Sequence, residues 1–106
     1  MIRIVEMLKE IGFPFAYDHF AEGEPDINPP FICYFTPNSN NFSADGTVYF
    51  AANIISIELY TDKKDLDAER RVENTLKNHE VFYEKSEVWI ESEKLYEVLY
   101  QFEMEE

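Results

Sequence analysis

Residues 47 to 61 read TVYFAANIISIELYT, a run of β-branched, aromatic and small side chains with little interruption. In its second half Ile55, Ile57 and Leu59 fall on one side of an extended chain. Ser56, Glu58 and Tyr60 fall on the other, and Ile54 joins them. Alternation at period two is the pattern of a half-buried strand. Ala51 to Asn53 interrupts it, and a bulge or bend is expected there. So long a strand is not stable alone, so the flanking segments must supply its neighbours and its cover.

The neighbours are legible. FICYFT (residues 31–36) is a compact apolar run of β formers and reads as a buried strand. FPFAYDHF (13–20) alternates Phe13, Phe15 and Tyr17 with Pro14, Ala16 and Asp18; Pro14 suits only the start or edge of a strand. EVFYEKSEVWIE (80–91) also reads as strand, with Lys85-Ser86 as the point where it could break. LYEVLYQFEM (95–104) satisfies two periods. Tyr96, Val98, Tyr100, Phe102 and Met104 alternate with Glu97, Leu99, Gln101 and Glu103, whereas Leu95, Val98, Leu99 and Phe102 fit a helix. Its Tyr and Val content favours strand.

The cover comes from two helical patterns. In residues 2–11, Ile4, Leu8 and Ile11 recur at helical spacing with Val5 beside them, and Glu6, Lys9 and Glu10 supply the wet face. Gly12 and Pro14 end that helix. In residues 65–79, Asp65 is the expected N-cap. Ala68, Val72, Leu76 and His79 form the stripe, with Leu66 leading in. Glu69, Arg70, Arg71, Glu73 and Lys77 supply the solvent face, where Glu69 repels Glu73 and Glu73 attracts Lys77. His79 complements the dipole at the helix end. The expected fold is a single α+β domain over residues 1–106, in the order α-β-β-β-α-β-β. Its sheet is mixed or antiparallel, with both helices on one face.

Two segments read as long polar loops. AEGEPDINPP (21–30) is either flexible or held in a polyproline-like path. PNSNNFSADG (37–46) ends on Asp45-Gly46, a tight-turn signal. Loops of this length in a small domain are usually disordered or used for binding. Glu22, Glu24, Asp26, Asn38, Asn40 and Phe42 are therefore candidate interaction residues. Phe42 either anchors a partner or folds back onto its own sheet.

The totals bound the chemistry. Nine basic residues stand against 22 acidic ones in 106, a net charge of −13. That balance opposes binding to a nucleic-acid backbone or to an anionic membrane surface. Aromatic residues make up 16% of the chain. They serve either subunit interfaces or half-exposed strand faces. Cys33 is the only cysteine, so no intrachain disulfide forms; set in an apolar run, it reads as a small buried hydrophobe. Arg3 and Glu6 break the N-terminus before an apolar core forms, so no signal peptide is expected. No apolar run approaches the ~20 residues of a membrane span. There is no Gly-rich phosphate loop, no C-x-x-C and no H-E-x-x-H. A Cys33–His nucleophile, a metal site from Asp18, His19 and Glu22, and paired carboxylates are each conceivable, but no local pattern supports them. No catalytic, metal-binding or cofactor-binding residue is assigned.

Across nearly the whole chain, the sequence resembles small proteins from the morphogenesis clusters of tailed phages and prophages of Gram-positive bacteria. The matching features are Gly12-Phe13-Pro14, Tyr17 to Phe20, Pro29-Pro30, Asp45-Gly46, Glu58-Leu59-Tyr60-Thr61 with Asp62-Lys63-Lys64, and Tyr83-Glu84-Lys85. Such proteins are similar to the tail terminator and head–tail joining families of siphophages. The resemblance implies a non-enzymatic subunit without cofactor, assembling as a ring, typically a hexamer. Its implied partners are the tail tube protein and the head–tail connector. DNA passes through the ring without being specifically bound, and an acidic lumen keeps it from sticking. The implied location is the virion, reached from the host cytoplasm. The charge alone also fits an acidic regulator that mimics DNA and occupies a basic groove. A small hydrolase using acidic residues and a metal is the third alternative.

Overall fold

The computed structural model describes residues 2–19, 28–44 and 47–104, with side chains at 3–19, 28–36 and 54–104. Helices α1 (Ile2–Ile11) and α2 (Leu66–Asn78) and strands β1 (Phe15–Tyr17), β2 (Phe31–Ala44), β3 (Thr47–Thr61), β4 (Glu84–Ile90) and β5 (Leu95–Met104) follow the order α-β-β-β-α-β-β. The sheet runs β1-β2-β3-β5-β4. β1 pairs parallel with β2 and the remaining ladders are antiparallel, so the α+β fold is built on a mixed sheet. The doubly periodic segment 95–104 is a strand. It lies between β3 and β4, where both of its edges find ladder partners.

Period two and register together produce one apolar face. Ile55, Ile57 and Leu59 stand opposite Phe102, Tyr100 and Val98 on β5, while Tyr34 and Ile32 stand opposite Ile57 and Leu59 on β2. Both helices cover this face. Ile4, Leu8 and Ile11 of α1 and Ala68, Val72 and Leu76 of α2 share a core with these strand residues, and Met7 joins the α1 stripe. Each enclosed aliphatic side chain contributes about 1.5–3 kcal/mol relative to exposure.

The helix ends obey the capping rules. Gly12 takes φ +91 and donates its N–H to the Leu8 carbonyl at 3.2 Å. Arg71 of α2 donates to the Ile11 carbonyl and lies 4.4 Å from the Phe13 ring centre, clamping the end of α1. Asp65 caps α2 by accepting from the Ala68 N–H at 3.0 Å. At the other end, Glu80 N–H bonds Lys77 O and Val81 N–H bonds Leu76 O, each at 2.9 Å. This pair of bonds is a Schellman closure, with Glu80 in the left-handed region at φ 57. The strand expected from residue 80 therefore begins at Glu84, because Glu80 and Val81 finish the helix. Glu80→Gly is expected to stabilise the fold by about 0.5–1 kcal/mol in urea unfolding, since glycine adopts this conformation without steric cost.

Other boundaries also move. The extended segment 13–20 narrows to Phe15–Tyr17, with Asp18 turning out at φ 65. Residues 37–44 do not form a loop; they are the second half of β2. Asn and Ser are weak strand formers, but the β-rich partner segment satisfies their backbone groups. Asn38, Asn40 and Phe42 are ladder positions opposite Ile54, Ala52 and Phe50. Nor is β3 interrupted at Ala51 to Asn53, which stay paired. The register shifts lie between Phe35 and Asn38 and between Phe42 and Ser43. The first bulge absorbs Pro37, which has no N–H for the ladder. β4 runs through Lys85-Ser86 without a break. Glu22, Glu24, Asp26 and the Asp45-Gly46 turn lie outside the described residues.

Candidate functional site

The sheet face turned away from the helices gathers the polar alternates of the same strands. Cys33 lies opposite Glu58, and Phe31 lies opposite Tyr60 across β2–β3; Tyr60 in turn lies opposite Glu97 across β3–β5. Glu58 and Glu97 are thus diagonal neighbours, within reach of one another's side chains. The Tyr60 hydroxyl sits between them, 3.1 Å from Glu58 Oε1 and 3.0 Å from Glu97 Oε2. The Tyr60 ring stacks on Phe31 with centres 5.1 Å apart and planes 21° apart.

Burial and charge act together here. Partial burial, then the hydrogen bond and charge of Glu97, push the Glu58 carboxyl up to about 7, and Asp18 adds to this; the Tyr60 hydroxyl works the other way. Burial first, then the two carboxylates, pushes the Tyr60 phenol above its ordinary range. Burial, followed by the charges of Glu58, Asp18 and Glu97, pushes the Cys33 thiol up to about 11. At neutral pH Cys33 is therefore a thiol rather than a nucleophilic thiolate. It is buried, as expected of a small hydrophobe.

A second polar group joins α2 to β4. Glu69 does not lie on the solvent face that its helical spacing predicts; its side chain is only 3% exposed. It borders the buried stripe beside Ala68, and β4 brings Lys85 over it. Lys85 Nζ lies 2.8 Å from Glu69 Oε1 and 2.7 Å from Glu73 Oε2, so it bridges two carboxylates expected only to repel. Lys64 donates to Glu69 Oε1 at 3.1 Å and lies 2.8 Å from Oε2 as a charge contact, without hydrogen-bond geometry at that atom. Burial resists the charge on Glu69, but the two ammonium groups outweigh it and hold the carboxyl below the usual range. Tyr100 completes the group by donating to Glu73 Oε2 at 2.8 Å.

The remaining candidates do not converge. His19 Nδ1 lies 3.0 Å from Asp18 Oδ2, and both side chains are exposed. His79 caps α2, accepts at its carbonyl from Arg3 and pairs with Glu10, which binds the end of α2 to α1. Among the described residues no three His, Cys, Asp or Glu side chains gather as a metal site. An open groove of about 730 Å³ runs between the start of β4, the end of β5 and Ile54 in the middle of β3, with Phe82 95% exposed at its rim. No described helix is long and apolar enough to cross a membrane. Comparison with known protein families returns no match, and neither does comparison with curated proteins.

The Glu58–Tyr60–Glu97 group was within reach of sequence only in part. Glu58 and Tyr60 stand out as same-face alternates of β3. Glu97 comes from a strand nearly forty positions away, and only the β3–β5 register delivers it.

Proposed function

We propose that this chain is a non-enzymatic assembly subunit of a tailed phage or prophage particle, forming a ring at the head–tail junction or the end of the tail tube. One observation carries this reading. β3 pairs with β5 only from Asn53 onward, so among the described residues Thr47 to Ala52 pairs with β2 alone. The two strands form an arm of about 20 Å past the five-stranded region. A two-stranded ribbon is at best marginally stable by itself, so an arm of this kind gains from packing on another surface. A neighbouring subunit of a ring supplies such a surface. The long dimension of 49 Å against 30 and 23 Å reflects the same projection. The net charge of −13 suits a lumen that passes DNA.

Electron microscopy of the purified protein mixed with tail tubes is expected to show rings at tube ends. Shortening the arm by removing residues 41–50 is expected to leave the melting temperature within a few degrees of the parent while abolishing the rings. Bare tube ends with the full-length protein would sink the proposal. The acidic regulator reading rests on the charge alone. Competition with DNA for a basic partner protein, with no binding to tubes, would favour it.

A further inference from the structure

We propose that Glu58, Tyr60 and Glu97 hold one shared proton on the sheet face turned away from α1 and α2, and that the loss of this proton as pH rises is a pH-sensitive switch built into the fold. The Tyr60 hydroxyl has a single hydrogen to donate. Two carboxyl oxygens lie at 3.1 and 3.0 Å from its oxygen, so that hydrogen satisfies only one of them. The second contact becomes a hydrogen bond when its carboxyl is protonated and donates to the phenol oxygen. Two ionised carboxylates here would instead oppose one another with no donor between one of them and Tyr60.

Among the described residues, the surroundings supply nothing to offset a second charge. The groups facing Glu58 are Asp18 at the end of β1, Cys33 on β2, Tyr60 on β3 and Glu97 on β5. β4 contributes Val88 opposite Glu97. Among the described residues no helix covers this face and no cation pairs with either carboxylate. Lys64 and Lys85 are engaged by Glu69, Glu73 and Glu87 across α2 and β4, and Lys94, three residues before Glu97 along β5's approach, is engaged by Glu91. Among the described residues, a proton is therefore the only positive charge available to the pair.

The sign of the switch follows. The folded chain keeps a proton on Glu58 up to about 7, whereas the unfolded chain releases it in the ordinary carboxylate range near 4.3. Between those values the native state binds more protons, so this group's stabilisation is complete below the window and is lost as pH rises through it. The same step adds a negative charge to the centre of the face.

Carbon-13 NMR of the Glu58 carboxyl reads the switch directly. A midpoint close to 7 is expected in the intact protein. Glu97→Gln should move that midpoint down, and Tyr60→Phe should move it up, because the two neighbours act in opposite directions. The melting temperature should fall relative to Glu58→Gln between about pH 5 and about pH 8, the range spanning both carboxylate states. A wild-type midpoint in the ordinary carboxylate range overturns the proposal without any variant. A midpoint near 7 that Glu97→Gln leaves unmoved also overturns it, since burial alone would then hold the proton.

Discussion

Tyr100→Ala is expected to destabilise the fold by about 3–5 kcal/mol, the range for truncating a buried aromatic side chain. Among the described residues Tyr100 is the largest fully buried side chain, 0% exposed, and it stands opposite Ile57 at the centre of the helix-covered face. Its ring meets Tyr83 edge-on at 5.3 Å, and its hydroxyl reaches Glu73. The truncation therefore leaves a cavity under α2 and strips one bond from Glu73. A domain of this size has about 5–15 kcal/mol in total, so the variant should unfold at far lower urea than the parent. Tyr100→Phe separates the two contributions. It keeps the ring and loses the hydroxyl bond, and because Lys85 still satisfies Glu73 the cost should be about 1 kcal/mol. Equal losses for the two variants would show that the hydroxyl, not the packing, holds this position.

How much of this was legible depends on the range of the physics involved. Local rules worked. Asp65 caps α2 and Gly12 closes α1, because capping needs only residues within one turn. The alternation in 54–60 placed each side chain on its correct face, since period two survives any choice of partner strand. The polar stretch 37–44 departs from its sequence expectation for the opposite reason. Its composition disfavours strand, and only the complementary backbone of 47–54 makes it one. Pro37 looked like a loop residue when it is a bulge residue. Glu69 looked like a solvent residue because helical spacing does not reveal that β4 will bring Lys85 across it. The arm and both polar groups arise from register, which no single segment encodes.

For the same reason, no local sequence pattern points to chemistry. Glu58 and Glu97 each look like ordinary acids in an acidic chain. Their significance comes from a shared tyrosine hydroxyl and the lack of any paired cation among the described residues. Glu69 is chemically the same residue in the opposite circumstances, with two lysines at hand. One charge-rich composition thus yields a carboxyl held above its normal range and another held below it.

Removing both of Glu69's cations should turn the second case toward the first. Lys64→Met with Lys85→Met is expected to cost about 3 kcal/mol, because it leaves a buried carboxylate without compensation. The lysines themselves are 39% and 35% exposed, so solvent already weakens their attraction, and the expected loss comes chiefly from the stranded charge on Glu69. Adding Glu69→Met to the double variant should recover most of that loss, since an apolar side chain suits the site once the cations are gone. The pH dependence distinguishes this from lost lysine packing. In the parent, Glu69 has a folded pKa below its unfolded value, so its contribution is present above the ordinary carboxylate range and is lost as pH falls through the folded value. In the double variant burial acts alone, the folded pKa rises above the unfolded one, and acid should stabilise the site instead. Chemical denaturation of the parent, double and triple variants at about pH 4 and about pH 7, either side of the carboxylate range, reads that reversal. If the double variant's deficit is as large at the lower pH as at the higher, its cost lies in lost packing, and Glu69 was never held in place by charge.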